Sequence, residues 1–151
     1  MEINVKGSQA GPLRADPNRV LRWAAIAFAI GVFLHTLDHM RRGMTASPPD
    51  VVVAGFIDIV AIAIAVVMTL RGHRRSPEAA IVVGFVSAFL FFYAHVLPTW
   101  WHVLSDSFVS MPHMNVTWFS WVTLVGEVGT GIVFGIAGVL ARGAMRASAR
   151  P

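Results

Sequence analysis

The sequence predicts an all-α, polytopic membrane protein: four transmembrane helices in an antiparallel bundle, with a short interfacial helix in the third connection. Hydrophobic residues make up 56% of the 151 residues and charged residues only 13%, about half the charge of a typical soluble domain. Four apolar stretches approach the ~20 residues that a helix needs to cross a bilayer. These stretches cover residues 23–40, 51–70, 79–97 and 118–141 and define a helical domain over 23–141.

Short polar segments separate the four stretches. Ser47-Pro48-Pro49-Asp50 and Ser76-Pro77-Glu78 each combine proline with an acidic residue, which the first turn of a helix favours. The third connection, 98–117, is the longest and contains Trp100 and Trp101. Because tryptophan collects at membrane interfaces, we expect residues 98–104 to form a short helix that lies in the interface and covers the bundle as a lid.

The basic residues predict the orientation of the chain. Ten of the twelve flank one side of the membrane, and only Arg41 and Arg42 lie opposite. The positive-inside rule therefore places the N-terminal tail (1–22) and the C-terminal tail (142–151) in the cytoplasm and the 98–117 connection outside. Eleven arginines against a single lysine, Lys6, indicate a GC-rich bacterial genome, so the expected location is the bacterial inner membrane. No basic stripe is interleaved with base-stacking aromatic residues, which excludes nucleic acid as a partner.

Six ionisable residues fall within the apolar stretches, where an ionisable group costs a few kcal/mol and needs a reason to be present. All six are predicted to lie in the outer half of the membrane. They are His35, Asp38, His39, Asp58, His95 and Glu127. Small residues at helical spacing share their faces, as Gly131 and Gly135 do with Glu127, and small residues mark helix contacts in membranes. We therefore expect the polar faces to converge inside the bundle.

The composition of this polar set predicts a metal site. His35, Asp38 and His39 stand at i, i+3 and i+4, within about a third of the helix circumference. Asp58, His95 and Glu127 complete a shell of imidazoles and carboxylates, which suits Zn, Fe, Mn or Cu(II). A single buried histidine or acid more often only hydrogen-bonds a neighbouring helix, so the prediction depends on the grouping.

Haem b and Cu(I) are the alternative occupants. A haem would take axial histidines from two helices, His35 or His39 opposite His95, and Arg41 and Arg42 would bind its propionates. The excess of carboxylates argues against a haem and for an ion. Thioether ligands favour Cu(I), and four methionines lie at the outer end: Met40, Met44, Met111 and Met114.

Three classes of function follow from these residues. The first is a metal- or haem-binding membrane protein with a redox or metal-handling role. The second is a proton-coupled transporter or channel subunit that uses Glu127 and Asp58, and the third is a non-catalytic accessory subunit of a larger membrane complex. Besides the lipid bilayer, the expected partners are a second copy of the chain or such a complex. Cysteine is absent, which excludes thiolate sites, and no catalytic motif decides whether the protein is an enzyme.

Overall fold

The computed structural model describes residues 16–43, 45–100, 102–110 and 115–149. Within these residues the chain is all-α and contains four helices: α1 (Pro17–Arg42), α2 (Pro49–Leu70), α3 (Ser76–Val96) and α4 (Trp118–Ser148). Each of them is long and apolar enough to cross a membrane, as predicted. Most of the expected N-terminal tail and the last two residues of the C-terminal tail lie outside the described residues.

Local sequence explains where the helices begin. Proline occupies the first turn of α1, α2 and α3, where the missing backbone N–H has no intrahelical partner to lose. The Asp16 side chain accepts a hydrogen bond from the Asn18 backbone N–H, and Thr117 and Ser120 cap α4 reciprocally. α1 begins six residues before the apolar stretch that predicted it, and α4 continues beyond residue 141 to Ser148. The arginine-rich flanks are therefore helical extensions of the two apolar stretches.

Glycines bring α4 close to its neighbours. A Cβ on Gly84 of α3 would lie 2.6 Å from the Gly131 carbonyl oxygen and 2.7 Å from the Gly135 nitrogen. A Cβ on Gly31 of α1 would lie 3.2 Å from the Glu127 Cα. These backbones approach each other because no side chain stands between them, as the small residues beside the polar positions had indicated.

The last turns of α1 and α3 and the first turns of α2 and α4 meet at one end of the structure, which we call the histidine end. The Ser120 hydroxyl at the start of α4 donates to Asp38 near the end of α1 over 3.1 Å. The Asp50 carboxylate at the start of α2 accepts from the Leu104 N–H over 2.7 Å. α2 packs mainly through its other half, because it has no buried residue between Val51 and Ile62.

The short interfacial helix predicted over 98–104 is not confirmed. The described residues of the 98–117 connection form bends and turns and contain no helix. His102 and Leu104 have φ values of 52° and 51°, a left-handed backbone conformation that interrupts a right-handed helix. Instead, the N–H groups of Asp106 and Phe108 donate to the Ala94 and His95 carbonyls over 2.9 and 2.8 Å, which folds the connection onto the end of α3.

Candidate metal centre

Three histidine side chains meet between α1 and α3 at the histidine end. The Nε2 atom of His35 lies 3.1 Å from Nε2 of His39 and 3.3 Å from Nε2 of His95. His35 and His95 are buried and His39 is half-buried. Among the described residues, these are the three whose ring nitrogens, all within 4.8 Å of one another, could hold a metal ion together.

Helical spacing accounts for this convergence. His35 and His39 stand four residues apart and so share one face of α1. His95 lies in the last turn of α3, on the face that buries Gly84, Ser87 and Ala88. The Phe91 ring stacks 6.4 Å from the His95 ring and meets the His35 ring edge-on at 5.5 Å, so an apolar wall closes one side of the cluster.

The other ring nitrogens face oxygen atoms. The Nδ1–H of His95 donates to the Asp106 backbone carbonyl over 3.1 Å, which leaves its Nε2 with a free lone pair. Nδ1 of His39 lies 3.1 Å from the Ser47 hydroxyl and 3.0 Å from Arg42 Nη2, and Nδ1 of His35 lies 3.7 Å from Oε2 of Glu127. Oxygen partners behind imidazole rings are the usual second shell of a histidine metal site, because they fix the tautomer that exposes the opposite nitrogen.

Glu127 is an unpartnered acid behind the cluster. Its side chain is 1% exposed, and neither carboxylate oxygen has a hydrogen-bond partner within the described part of the chain. Burying a carboxylate without hydrogen-bond partners costs free energy. A cation or proton donor close to Glu127 therefore stabilises it strongly. The side chain faces His35, as expected from its position on the glycine face of α4.

Asp38 belongs to an ion-pair network and is not part of the histidine group. Its Oδ1 accepts hydrogen bonds from Arg41 Nε and Nη2 over 2.9 and 2.8 Å, and its Oδ2 lies 3.3 Å from Arg42 Nε. Arg42 in turn forms a two-pronged pair with Asp106, with distances of 3.2 and 2.6 Å. Arg41 and Arg42, which were expected to bind haem propionates, are thus both engaged with carboxylates of the chain itself.

Asp58 lies away from the histidines. Its Oδ1 accepts a hydrogen bond of 2.8 Å from Ser87, two turns along α3 from His95. The remaining histidines do not join the cluster either: His73 accepts a hydrogen bond from the Arg75 N–H at the opposite end, and His102 is exposed. His113 and the methionines Met44, Met111 and Met114 lie outside the described residues, whereas Met40 is 63% exposed.

Several residues of the site were not among the predicted ligands. Ser47 was interpreted only as part of a helix start, yet its hydroxyl donates to Asp106 over 2.8 Å and stands beside His39. Asp106 lies in the long third connection, where no periodicity marks it as a partner of Arg42. Phe108 packs on His95 with ring centroids 4.8 Å apart and lies 5.0 Å beneath the Arg42 guanidinium. One signal for the pairing of Asp106 was available in the sequence. Asp106 is an acidic residue in the long connection, on the same predicted side of the membrane as Arg41 and Arg42, which had no assigned carboxylate of the chain as a partner.

The fold and the site define a class of protein: a chain of four membrane-type helices with a buried cluster of three histidines at one end. Comparisons with protein-family models, curated proteins and solved structures found no match to this chain. Function is therefore inferred from the geometry of the site itself.

Proposed function

We propose that the protein is a bacterial inner-membrane protein that binds one transition-metal ion through Nε2 of His35, His39 and His95. In this proposal the four helices form an antiparallel bundle, both termini are cytoplasmic, and the metal centre lies in the outer half of the membrane. The observation that carries the proposal is the approach of three Nε2 atoms from two helices, each ring having an oxygen atom within 3.7 Å of its Nδ1.

The nitrogen spacing supports an ion of zinc-like size. Two metal–nitrogen bonds of about 2.0–2.1 Å at a tetrahedral angle hold the nitrogens about 3.3–3.4 Å apart. The two observed Nε2 separations, 3.1 and 3.3 Å, are close to this value. With Nδ1 protonated on each ring, no Nε2–H is available to bridge these short contacts, and a cation bound by the Nε2 lone pairs removes the repulsion between them.

An ion fits better than haem b. Two axial nitrogens on opposite sides of a haem iron, each about 2 Å from it, lie about 4 Å apart with the macrocycle between them. His35 stands within 3.3 Å of both other imidazoles and so fills the space that a macrocycle would need. The arginines that would bind propionates are already paired with Asp38 and Asp106.

Imidazole ligands suit Zn, Fe and Cu better than Mg or Ca, and three protein ligands leave a coordination position for water or a substrate. This is the arrangement of catalytic zinc sites more than of structural ones. We assign the carboxylates to supporting roles: Glu127 behind His35, Asp106 behind His95 and, through Ser47, behind His39. Asp38 then holds Arg41 and Arg42 in place.

Metal analysis of the full chain tests the proposal. The protein, purified in detergent and equilibrated with Zn²⁺, Fe²⁺, Mn²⁺ or Cu²⁺, is expected to retain about one ion per chain and to show no Soret band. His35→Ala, His39→Ala and His95→Ala should each lose the ion, whereas the matched control His73→Ala should keep it. A Soret band, or equal retention in all four variants, would contradict the assignment.

A proton-transfer role is a second candidate, and the position of Glu127 favours it. Glu127 lies 3.7 Å from a chain of three imidazoles, and within the described residues its two oxygens have no hydrogen-bond partner, so it could pass a proton from the bundle interior to the histidine end. Proton flux into vesicles containing the metal-free protein measures this role directly. Flux that Glu127→Gln abolishes would support it, and no flux above empty vesicles would exclude it.

A further inference from the structure

A cavity of about 290 Å³ lies beside the histidine cluster, between α1 and the outer half of α2 and α3. His39 and His95 both line it, so it reaches two of the three proposed ligands. Most of its wall is apolar, from side chains such as Val52, Ile59 and Leu90. A polar metal site therefore adjoins a hydrophobic cavity that is open on one side, where lining side chains such as Phe56 and Val52 are 69% and 43% exposed.

The packing of α2 creates this cavity. Between Val51 and Ile62 the helix has no buried residue, although its other half packs tightly through residues such as Ala65 and Thr69. Gly55 faces the cavity, and a Cβ added there would meet no atom within 4 Å. The space next to the histidines therefore results from the loose packing of the outer half of α2.

Asp58 provides the one carboxyl group among the described residues that line the cavity. Ser87 donates to its Oδ1, and a carboxylate oxygen can accept a second hydrogen bond. Ser87 and His95 are eight residues apart on α3, which corresponds to about 12 Å along the helix axis. The cavity therefore has a hydrogen-bond acceptor at its deep end and the imidazoles at its other end.

Volume and lining together define the ligand. An engineered apolar cavity of about 150 Å³ binds benzene, so a cavity near twice that size accommodates about ten to twelve non-hydrogen atoms. A charged group would lose its water on entering mostly apolar walls, whereas a hydroxyl can recover the loss with a single hydrogen bond. Asp58 offers the acceptor for that bond.

We propose that this cavity binds an uncharged, bilayer-soluble alcohol of about ten to twelve non-hydrogen atoms. Its hydroxyl donates to Asp58, its hydrocarbon chain follows α2 and α3, and its far end lies beside His39 and His95. The inference deepens the proposed function because it gives the metal centre a class of substrate. Only the role of the alcohol as a substrate rests on the proposed function. Binding of the alcohol itself does not require the metal.

Photolabelling tests the proposal in bilayer vesicles of phosphatidylcholine, with the full chain in both metal-free and Zn²⁺-loaded form. The probe is a diazirine analogue of decanol, and labelled peptides are identified by mass spectrometry. We expect labels in residues 51–59 and 90–95, with protection by excess decanol and about tenfold weaker protection by decane, which lacks the donor. Asp58→Leu should remove this preference, while Asp58→Asn, which keeps an acceptor oxygen, should retain most of it.

Two glycine variants separate filling of the cavity from general damage. Gly55→Leu should reduce labelling to background without loss of bound Zn²⁺. Gly129→Leu, on the exposed face of α4 where an added Cβ likewise meets nothing within 4 Å, should label as the unaltered protein does.

The outcomes distinguish this inference from the proposed function. Specific labelling in a protein that retains no metal would support the cavity ligand and refute the metal centre. Zn²⁺ retention with labelling that decanol and decane suppress equally would refute the alcohol and indicate a lipid acyl chain in the cavity. Stronger protection by decylamine than by decanol would overturn the assignment of an uncharged ligand.

Discussion

Replacing Glu127 by glutamine should weaken metal binding without removing a direct ligand. Oε2 of Glu127 lies 3.7 Å from Nδ1 of His35, on the far side of the ring from the proposed ion. Across an imidazole and a metal–nitrogen bond, the carboxylate stands about 8 Å from that ion. At an effective dielectric constant of about 20, a divalent ion and a carboxylate at this distance attract each other by about 4 kcal/mol.

That Coulomb value, about a thousandfold in affinity, is a ceiling because it ignores the cost of keeping the carboxylate out of water. Partners behind metal-bound histidines change affinity by about 10–100-fold, or about 1.4–2.7 kcal/mol, when mutated. Since 3.7 Å exceeds an ordinary hydrogen bond, we expect Glu127→Gln to raise the Kd for Zn²⁺ by about tenfold.

Competition between the detergent-purified protein and a chromophoric chelator measures this change in Kd. Glu78→Gln is the matched control, because Glu78 pairs with Arg142 over 3.2 Å and its side chain is 42% exposed, far from the histidines. Both variants replace one carboxyl group by an amide of the same shape. Equal affinities of Glu127→Gln and the unaltered protein, or an equal loss in Glu78→Gln, would refute the role assigned to Glu127.

Three further predictions concern stability and orientation. Arg42→Met leaves Asp106 buried without its cation, so the free energy of unfolding in detergent should fall by about 3–5 kcal/mol, and an unchanged melting temperature would contradict this. Gly84→Ala places a methyl group against the α4 backbone and should cost about 1–3 kcal/mol, whereas Gly129→Ala, which meets nothing, should not destabilise; equal effects of the two would refute the close contact. Reporter fusions at Arg74 and Ser110 should report opposite compartments, and the same compartment for both would exclude the four-span topology.

The four helices were predictable because the signal for each is long and redundant. A stretch of about twenty apolar residues predicts a transmembrane helix whatever any single residue in it is. Proline near Asp50 and Glu78 indicated where two of the helices begin. The grouping of His35 with His39 was also predictable, since i and i+4 define a face before any neighbour is known. His95 followed from the small residues that share its face.

The roles of the acids were harder to predict, because an acidic residue within an apolar stretch can either bind a metal ion or pair with an arginine. Asp38 lies three residues before Arg41 and four before Arg42. It forms an ion pair with Arg41 through Oδ1 and with Arg42 through Oδ2. The direction of the side chains explains how Glu127 reaches the cluster, as its position on the glycine face of α4 had indicated. Cβ atoms tilt toward the N-terminus of a helix, so Glu127 on α4 extends toward the histidine end while His35 on α1 extends away from it, and the two side chains meet.

The irregular 98–117 connection left no periodic signal, although it supplies Asp106 and Phe108 to the site. Trp100 and Trp101 had indicated a helix that lies in the membrane interface. The left-handed backbone at His102 and Leu104 depends on tertiary contacts such as the bond between Asp50 and the Leu104 N–H. Such contacts cannot be read from the local sequence, which is why the predicted helix is not seen.

The environment of His39 indicates how the site responds to a metal ion. An ion on Nε2 requires the proton on Nδ1, so Nδ1 must then donate a hydrogen bond. Arg42, whose Nη2 lies 3.0 Å from this nitrogen, can only donate, whereas the Ser47 hydroxyl at 3.1 Å can accept while it donates to Asp106. The two neighbours of His39 therefore favour opposite tautomers. When a metal ion binds, the Ser47 hydroxyl becomes the hydrogen-bond partner of Nδ1, and Arg42 pairs only with its carboxylates. Metal binding is therefore coupled to the ion-pair network that joins α1 to the 98–117 connection.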